Sequence, residues 1–278
     1  MNDFAPGLYL VATPIGNLRD ITLRALDILA SADLVLCEDT RVGGKLLSAH
    51  GIKAKLLRYD EHAAERARPQ VLEVLGGGGR VALTSDAGTP LVSDPGYRLV
   101  RDAIEIGAAV FPIPGPSAAL AALTVGGLPT DRFLFAGFPP PKSAGRRTLF
   151  SELKPIRATL IFFEGASRLA PCLADMAAVF GPRPAVVARE LTKLHETVIR
   201  GPLTDLASDP RLDHPKGEMV VLVGGGAAEE ASETDIDAAL REALAHAAPG
   251  AAAAEVARSL GLSRQDLYAR ALALRGAL

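Results

Sequence analysis

The chain has 278 residues and a formal net charge of −2; 49% of its residues are hydrophobic, 5% aromatic and 22% charged. This length and hydrophobic content predict two compact domains with room for a small third module, and they argue against wholesale disorder. A slightly acidic chain is no polycation, so binding to nucleic acid would require a local basic surface.

The first six residues contain neither the basic nor the apolar segment of a secretory signal, and no run of about 18 apolar residues occurs. We therefore expect no membrane span and a cytoplasmic location. The two cysteines, Cys37 and Cys172, have no Cys or His neighbour at metal-ligand spacing. We therefore expect neither a zinc site nor any other bound metal.

The first half of the sequence alternates short apolar runs with helical patterns. Strands are predicted at 8–12, 33–38, 55–58, 80–84, 108–113 and 133–137. The intervening helices are predicted at 22–29, 40–49, 61–75, 97–106 and 118–125, with Pro69 as a possible break in the third. This alternation predicts an α/β domain over residues 1–137, with a mostly parallel sheet that helices cover on both faces.

Three consecutive prolines at 139–141 predict a stiff linker and a domain boundary. Beyond it, strands are predicted at 159–163, 185–190, 196–200 and 217–223, with one helix at 167–180. Adjacent strands without an intervening helix indicate antiparallel pairing, so residues 142–225 predict a second, α+β domain with a mixed sheet. After a linker at 224–234, residues 233–278 predict a helical module that contains a helix-turn-helix pattern with Ser263 as an N-cap.

Three loops of the first half lie at the carboxyl ends of predicted strands, namely 13–17, 85–95 and 114–117. In an open α/β sheet these ends face one crevice, where ligands bind. The loops combine Gly and Pro with small polar residues, which lets the backbone approach a ligand closely. The glycine patterns of dinucleotide-binding folds and phosphate-binding loops are missing. The residues alone therefore predict a small-molecule crevice without naming the ligand.

Several long motifs resemble one enzyme family. They are LYLVATPIGNL (8–18), SDAGTPLVSDPGY (85–97), IPGPSA (113–118), GLPTDRF (127–133), ARELTK (188–193) and KGEM (216–219). In this order they resemble the bacterial 16S rRNA (cytidine-2′-O)-methyltransferases, which belong to the tetrapyrrole-methylase-like class of S-adenosylmethionine (SAM) enzymes. The likeness covers residues 8–224, and the tail resembles the family's C-terminal helical extension.

The resemblance implies the two-domain tetrapyrrole-methylase-like fold, with a C-terminal helical module and SAM bound in the cleft between the domains. It also implies a homodimer that methylates a cytidine ribose in the decoding centre of 16S rRNA on the assembled small subunit. Alignment of the strands with diphthine synthase, of the same class, carries SAM contacts onto Ile15, Thr89, Val92, Ser117, Ala118, Phe163, Ala188 and Met219. The turn formed by Asp86, Ala87 and Gly88 is expected to line the same pocket.

The reaction calls for a proton acceptor and for a carboxylate near the cationic donor. Asp86 is the first candidate for that carboxylate, and capping of its own turn is an equally good interpretation. Asn17 is a candidate for orienting the nucleotide, with helix entry as the alternative. Glu190 is a candidate base or a partner of Arg189. Asp94 is expected to cap the helix that begins at Tyr97.

The best candidate for RNA contact is the segment 142–157, which holds five cations and a single acid. Lys142, Arg146 and Arg147 are its leading members, although a charged run is often a solvated helix face. Arg189 and Lys193 are further candidates for phosphate contact, with a surface set of salt bridges as the alternative.

Three other functions remain open at this stage. A corrin methylase of the same fold is disfavoured, because its Gly-rich first loop is replaced here by Thr13, Pro14 and Ile15. A non-catalytic ribosome-assembly factor would bind subunits without needing SAM. An NAD(P) dehydrogenase is disfavoured by the missing dinucleotide motif.

Overall fold

A computed structural model describes residues 4–213, 215–226, 233–260 and 262–275. Contacts divide the chain after Gly225 into two units, which are described separately. Most of the predicted linker, residues 227–232, lies outside the described residues. Gly261 of the predicted helix-turn-helix also lies outside them, as does the end of the predicted helical module, 276–278.

The first sheet of the larger unit is parallel throughout, as predicted. Its strands are β1 (Gly7–Val11), β2 (Leu34–Cys37), β3 (Leu56–Arg58), β4 (Arg80–Thr84) and β5 (Val110–Ile113). Their order is β3-β2-β4-β1-β5, so β1 and β4 lie in the middle and are buried on both faces. The near-continuous apolar runs of these strands follow from that double burial.

Five helices connect these strands or follow the last of them. They are α1 (Leu23–Ser31), α2 (Thr40–Ala49), α3 (Ala64–Gly76), α4 (Tyr97–Glu105) and α5 (Ala118–Gly126). The side chains of Thr22, Asp39 and Ser117 accept backbone hydrogen bonds at the starts of α1, α2 and α5. Pro69 does not divide α3: the helix continues past it to Gly76, and the proline lies on its exposed face.

The second sheet contains β6 (Phe133–Phe135), β7 (Thr159–Gly165), β8 (Pro184–Arg189), β9 (Thr197–Pro202) and β10 (Glu218–Val223). Its order is β6-β7-β10-β8-β9; β6 pairs with β7 in parallel, and every other pair is antiparallel. The mixed sheet was predicted, but the placement of residues 133–137 in the first sheet was wrong. The chain changes sheets after α5, where Gly127 ends the helix in a left-handed conformation.

Helices cover both faces of the second sheet. One face packs against α6 (Ser143–Leu153), α7 (Leu169–Phe180) and the short α8 (Leu203–Leu206). The opposite face receives α5, whose residues Ala119, Ala122 and Leu123 form a core with Ile161 and Leu222. A helix that follows a strand of the first sheet therefore packs on the second sheet, which brings the two sheets together at the carboxyl edge of the first.

The smaller unit consists of α9 (Glu233–Leu244), α10 (Pro249–Leu260) and α11 (Arg264–Arg275). Its core is small, with Leu240, Val256 and Leu267 among the buried side chains. The Arg270 guanidinium donates to the Asp237 carboxylate at 2.5 Å and so ties α11 to α9. In the described part of the chain, no helix is both long and apolar enough to cross a membrane.

Candidate active site

The loops that follow β1, β4 and β5 meet at the carboxyl edge of the parallel sheet, as that topology requires. Thr13 and Gly88 exchange backbone hydrogen bonds of 2.8 and 3.0 Å, which join the first two loops. The Thr89 hydroxyl donates to the Pro116 carbonyl oxygen at 3.1 Å and joins the second loop to the third. The three loops thus form one connected wall.

A cavity of about 330 Å³ lies between this wall and the second sheet, within the size range of small-molecule sites. Eight of the eleven residues predicted to contact the cofactor line it: Ile15, Asp86, Ala87, Val92, Ala118, Phe163, Ala188 and Met219. The other three, Gly88, Thr89 and Ser117, hold the loops together or cap α5.

The cavity combines apolar and charged lining residues. The side formed by the second sheet presents the apolar residues Phe163, Ala188, Leu191, Met219 and Val220, and the charged residues Glu164, Lys193 and Glu218 also line it there. The side formed by the first sheet carries the carboxylates of Glu38, Asp86 and Asp94. This pairing suits a ligand that combines a flat apolar ring with positive charge.

Two loops at the cavity contain non-glycine residues in the left-handed region, two in each loop. Leu91 and Ser93 have φ angles of 71° and 66°, and Glu190 and Thr192 have φ angles of 50° and 66°. In each loop the intervening residue, Val92 or Leu191, lines the cavity. Strained backbone of this kind costs roughly 1 to 3 kcal/mol per residue and clusters at functional sites.

Two carboxylates on the side of the first sheet, Glu38 and Asp94, have raised pKa values. Burial raises the pKa of Glu38 to about 7, and the charges of Asp94 and Asp86 add to that effect. Burial also raises the pKa of Asp94 to about 6, against the opposing effect of the nearby Ser85 hydroxyl. The Asp86 carboxylate accepts a hydrogen bond from the Asp39 amide at 3.1 Å, and the Asp86 amide donates to Glu38 Oε1 at 3.4 Å.

Two of these carboxylates were not predicted as site residues. Asp94 was expected to cap α4, but the N-cap is Gly96, no side chain caps that helix, and Asp94 lines the cavity instead. Glu38 directly follows β2, and its place at the carboxyl end of a buried strand was the available signal. Its proximity to Asp94 is a long-range contact that no local pattern contains.

Lys193 lies at the edge of the cavity between two carboxylates. Its Nζ donates to Glu190 Oε1 at 2.9 Å and to Glu218 Oε2 at 2.8 Å. Burial lowers the pKa of Lys193, but the hydrogen bonds to Glu218 and Glu190 outweigh it, so the pKa is raised overall. The hydrogen bond from Lys193 holds the pKa of Glu190 below its usual value.

The predicted role of Glu190 as a base is therefore not supported. Its carboxylate accepts bonds from Lys193 and from the Glu218 amide, and a carboxylate with a lowered pKa is a weaker base. Arg189 donates through Nε to the Lys216 carbonyl oxygen at 2.7 Å, whereas Glu190 was expected to hold it. Glu190 instead fixes the position of Lys193.

Asn17 has the structural role that was its alternative interpretation. It is the N-cap of a short 3₁₀ turn, and its side chain accepts a hydrogen bond from the Arg19 amide at 3.1 Å. Its own amide donates to the Thr192 hydroxyl at 3.1 Å, so the first loop is joined to the loop after β8. Asn17 does not line the cavity, and we leave it out of the catalytic group.

The predicted basic segment becomes α6 and the residues around it. Arg146 was expected to contact RNA, but its side chain is only 6% exposed and bonds the buried Asp175 carboxylate at 2.7 Å. Arg147 is largely exposed and donates to the same carboxylate. Lys142 and the more distant cations Lys154 and Arg157 are exposed. Arg146 is therefore a structural residue, and the others remain available at the surface.

Comparison with known families identifies the chain. Residues 7–207 match the family described as Tetrapyrrole (Corrin/Porphyrin) Methylases, and residues 230–275 match the RsmI C-terminal HTH domain. Ribosomal RNA small subunit methyltransferase I of Mesorhizobium japonicum is 54% identical over 272 residues, which cover 97% of this chain and 92% of that protein. The chain belongs to the ribosomal RNA small subunit methyltransferase I family. The protein of the same name from Escherichia coli O157:H7 is 45% identical and covers 97% of this chain and 96% of its own length.

Solved structures share the fold of this family member. Uroporphyrin-III-C-methyltransferase from Thermus thermophilus aligns with a TM-score of 0.56 at 23% identity and covers 79% of this chain and 94% of its own. Cobalt precorrin-4 methyltransferase aligns with a TM-score of 0.57 at 20% identity and covers 78% and 94%. At these identities the likeness establishes the fold alone, and it confirms the predicted tetrapyrrole-methylase-like architecture.

Proposed function

We propose that this chain transfers a methyl group from SAM to the ribose 2′-oxygen of a cytidine in the decoding centre of 16S rRNA, within the small ribosomal subunit. The observation that carries the proposal is the match, over 97% of the chain, to proteins named as small-subunit rRNA methyltransferases. The cavity supports it, because apolar residues and carboxylates line it together and the methyl donor combines an adenine ring with a sulfonium charge.

The residues proposed to hold SAM are the eight predicted residues that line the cavity. Phe163, Ala188 and Met219 would contact the purine ring, and Asp86, on the side of the first sheet, would balance the sulfonium charge. Bound there, SAM supplies the electrophilic methyl group. We propose no metal; in the described ranges, no group of three or more His, Cys, Asp or Glu side chains could hold one.

The proposed proton acceptor is Glu38. A ribose hydroxyl is a very weak acid, so a base at the attacking oxygen should accelerate the step as the new bond forms. The most effective base has a pKa near the working pH, and burial with two neighbouring carboxylates gives Glu38 a pKa of about 7. The amide of Asp86 holds one oxygen of Glu38, which leaves the other for the ribose.

Cations around α6 and after β8 are proposed to hold RNA phosphates. Lys142 and Arg147 lie at the start of α6, and Lys154 and Arg157 lie at its other end. Arg189 and Lys193 follow on β8 and the loop after it. Lys193 is the least available of the six, because two carboxylates already bind it. Such contacts position the RNA without reading its sequence.

We further propose that the chain acts in the cytoplasm as a homodimer, as the family resemblance implies. Analytical ultracentrifugation would measure the oligomeric state directly. A single species at 29.0 kDa, the mass of one chain, would contradict the dimer.

The deciding experiment is methyl transfer from radiolabelled SAM to small subunits purified from a strain that lacks this activity, followed by mapping of the labelled nucleotide. The wild-type chain is compared with Asp86→Ala. Asp131→Ala, which changes an exposed Asp that does not line the cavity, is the matched control. We expect label on a cytidine 2′-oxygen with the wild type and the control, and a strong loss with Asp86→Ala.

The other outcomes separate the alternatives. SAM binding without any label on subunits would favour a small-molecule methylase of the same fold. Binding to subunits without any affinity for SAM would favour a non-catalytic assembly factor.

A further inference from the structure

The segment 137–142, here called the strap, crosses from β6 to α6 beside the cavity. It contains Gly137, Phe138, the three prolines and Lys142. Phe138 lines the cavity, yet 54% of its surface is exposed, which makes it one of the most exposed large apolar side chains among the described residues. The reaction proposed above assigns no role to Phe138.

The strap is fixed at both ends. At its start, the Phe163 amide donates to the Gly137 carbonyl oxygen at 2.9 Å, which extends the pairing of β6 with β7. Gly137 has a φ of 66°, the left-handed conformation that turns the chain away from the sheet. At its end, the Arg146 guanidinium donates to the Pro141 carbonyl oxygen at 2.8 Å.

The second anchor is itself rigid. Arg146 is buried in α6 and bonded to the Asp175 carboxylate of α7. Between the anchors, Pro139 is buried, and a Cβ atom added at Gly145 would come within 3.0 Å of Pro140. Proline also fixes its own backbone torsion, so this segment has little conformational freedom to lose when a ligand binds.

The Phe138 ring is supported from behind. It meets the Phe163 ring edge to face, with centroids 5.6 Å apart and an interplanar angle of 66°. The Phe163 ring in turn packs against Phe135 at 4.8 Å. Phe138 is thus held in place on one side while most of its surface stays open to solvent. A rigid aromatic ring with an open face is the usual platform on which proteins stack an unpaired nucleobase.

Such a platform suits the proposed substrate, which is a nucleotide of an RNA. An unpaired nucleotide gains stacking energy from an aromatic ring of the protein, and that contact also fixes the position of its ribose. Exposed cations, Lys142 and Arg147, follow Phe138 along the chain and suit the phosphates on either side of such a nucleotide. We propose that Phe138 is the positioning residue that stacks on the pyrimidine base of the target nucleotide; this rests on the function proposed above.

The test compares side chains at position 138 in the full chain. Phe138→Ala removes the ring, Phe138→Leu keeps an apolar side chain without an aromatic face, and Phe138→Tyr keeps the face. Phe133→Ala is the matched control, because Phe133 lies five residues earlier, is 46% exposed and does not line the cavity. For each variant, kcat and KM for small subunits are measured together with the Kd for SAM.

We expect Phe138→Ala and Phe138→Leu to lower kcat/KM for subunits by about 5- to 150-fold, the usual effect of losing one base-stacking partner. The Kd for SAM should stay within about twofold, and Phe138→Tyr and Phe133→Ala should remain close to the wild type. Wild-type kinetics for Phe138→Leu would overturn the proposal, since apolar contact alone would then suffice.

A spectroscopic readout tests the main competing role, which is a cover over the cofactor. The chain contains no tryptophan, so Phe138→Trp introduces a single tryptophan at the cavity, and its emission can be excited selectively over that of the four tyrosines. We expect S-adenosylhomocysteine alone to leave its emission unchanged. Strong quenching by that ligand, or a weakened Kd for SAM in Phe138→Ala, would assign Phe138 to the cofactor and overturn the proposal.

The kinetics also separate this proposal from the one on which it rests. If the wild-type chain binds SAM but labels no subunits, the proposed function fails and the stacking role fails with it. If the wild type labels subunits and Phe138→Ala does so within about twofold of its rate, only the stacking role fails.

Discussion

Replacing Glu38 with Gln should make the protein less active and more stable at alkaline pH. Glu38 is half-buried beside Asp94 and Asp86, and burial is the main reason that its pKa lies near 7. Gln keeps the size of the side chain and removes the charge. Both effects follow from the raised pKa of Glu38. A carboxylate that is unfavourable to ionise is a stronger base, and its negative charge at high pH lowers the stability of the fold.

The expected pH dependence follows from that pKa. Glu38 accepts a proton only when it is ionised, and with a pKa of about 7 the ionised fraction is roughly 0.1 at pH 6 and 0.9 at pH 8. The single-turnover rate of the wild type should therefore rise about tenfold between these pH values. Glu38→Gln should be slower at pH 8 and should lose most of the dependence on pH.

The stability effect has a definite sign. The folded protein holds the Glu38 proton more tightly than the unfolded chain, so this group stabilises the fold fully at low pH, and the contribution is lost as pH rises from about 4.5 to about 7. The shift from 4.5 to about 7 sets an upper limit of about 3 to 4 kcal/mol, which solvent screening at a half-buried site reduces to roughly 1 to 2 kcal/mol. At pH 8, the free energy of unfolding of Glu38→Gln should therefore exceed that of the wild type by this amount.

Two assays check this reasoning: single-turnover methyl transfer across pH 6 to 8, and urea unfolding at both ends of that range. Glu105→Gln, which changes an exposed residue at the end of α4, is the matched control and should behave like the wild type. An unchanged pH profile in Glu38→Gln would remove Glu38 from the proton transfer. If Glu38→Gln is no more stable than the wild type at pH 8, then ionisation of Glu38 does not destabilise the fold and the reasoning is refuted.

Three further predictions concern other parts of the site. Asp175→Asn should lower the free energy of unfolding by about 3 to 5 kcal/mol in urea titrations, because Arg146 would keep a buried charge without its partner; a loss below 1 kcal/mol would contradict this. Gly217→Ala should lower the free energy of unfolding by at least about 1 to 3 kcal/mol, since Gly217 has a φ of 94° and a Cβ atom there would overlap Glu190. Wild-type stability with unchanged SAM binding would contradict this prediction. Replacing Lys154 and Arg157 together with Ala should weaken subunit binding and reduce its salt dependence, with the Kd for SAM unchanged; an unchanged salt slope would exclude both from phosphate contact.

The sequence was sufficient for the architecture wherever the relevant pattern is local. The parallel first sheet follows from alternating apolar strands and helices, and the three βα loops had to meet at one edge. The position of β6 was not predictable in this way. Residues 133–135 have the same apolar character in either sheet, and pairing with β7 depends on Leu134 and Phe135 meeting Leu160 and Ile161.

The site divides along the same line. Backbone-lined positions such as Ile15 and Ala118 came from motif resemblance and lie at the cavity. Of the cations predicted to contact RNA, Arg147 is exposed and Arg146 is buried. The density of charged residues in the sequence does not distinguish the two. The distinguishing partner, Asp175, is 29 residues away in sequence from Arg146 and becomes a neighbour only when α7 packs beside α6.

The strained loops explain why the fold can hold such a cavity open. Each of the two loops places two left-handed residues around one that faces the cavity, at a cost of roughly 1 to 3 kcal/mol per strained residue. In the loop after β8, hydrogen bonds hold the strained residues in place. Glu190 is held by Lys193 and the Glu218 amide, and the Thr192 hydroxyl accepts the Asn17 amide. Because the bond between Asn17 and Thr192 joins the first loop to the loop after β8, the two sides of the cavity are tied to each other by the protein itself.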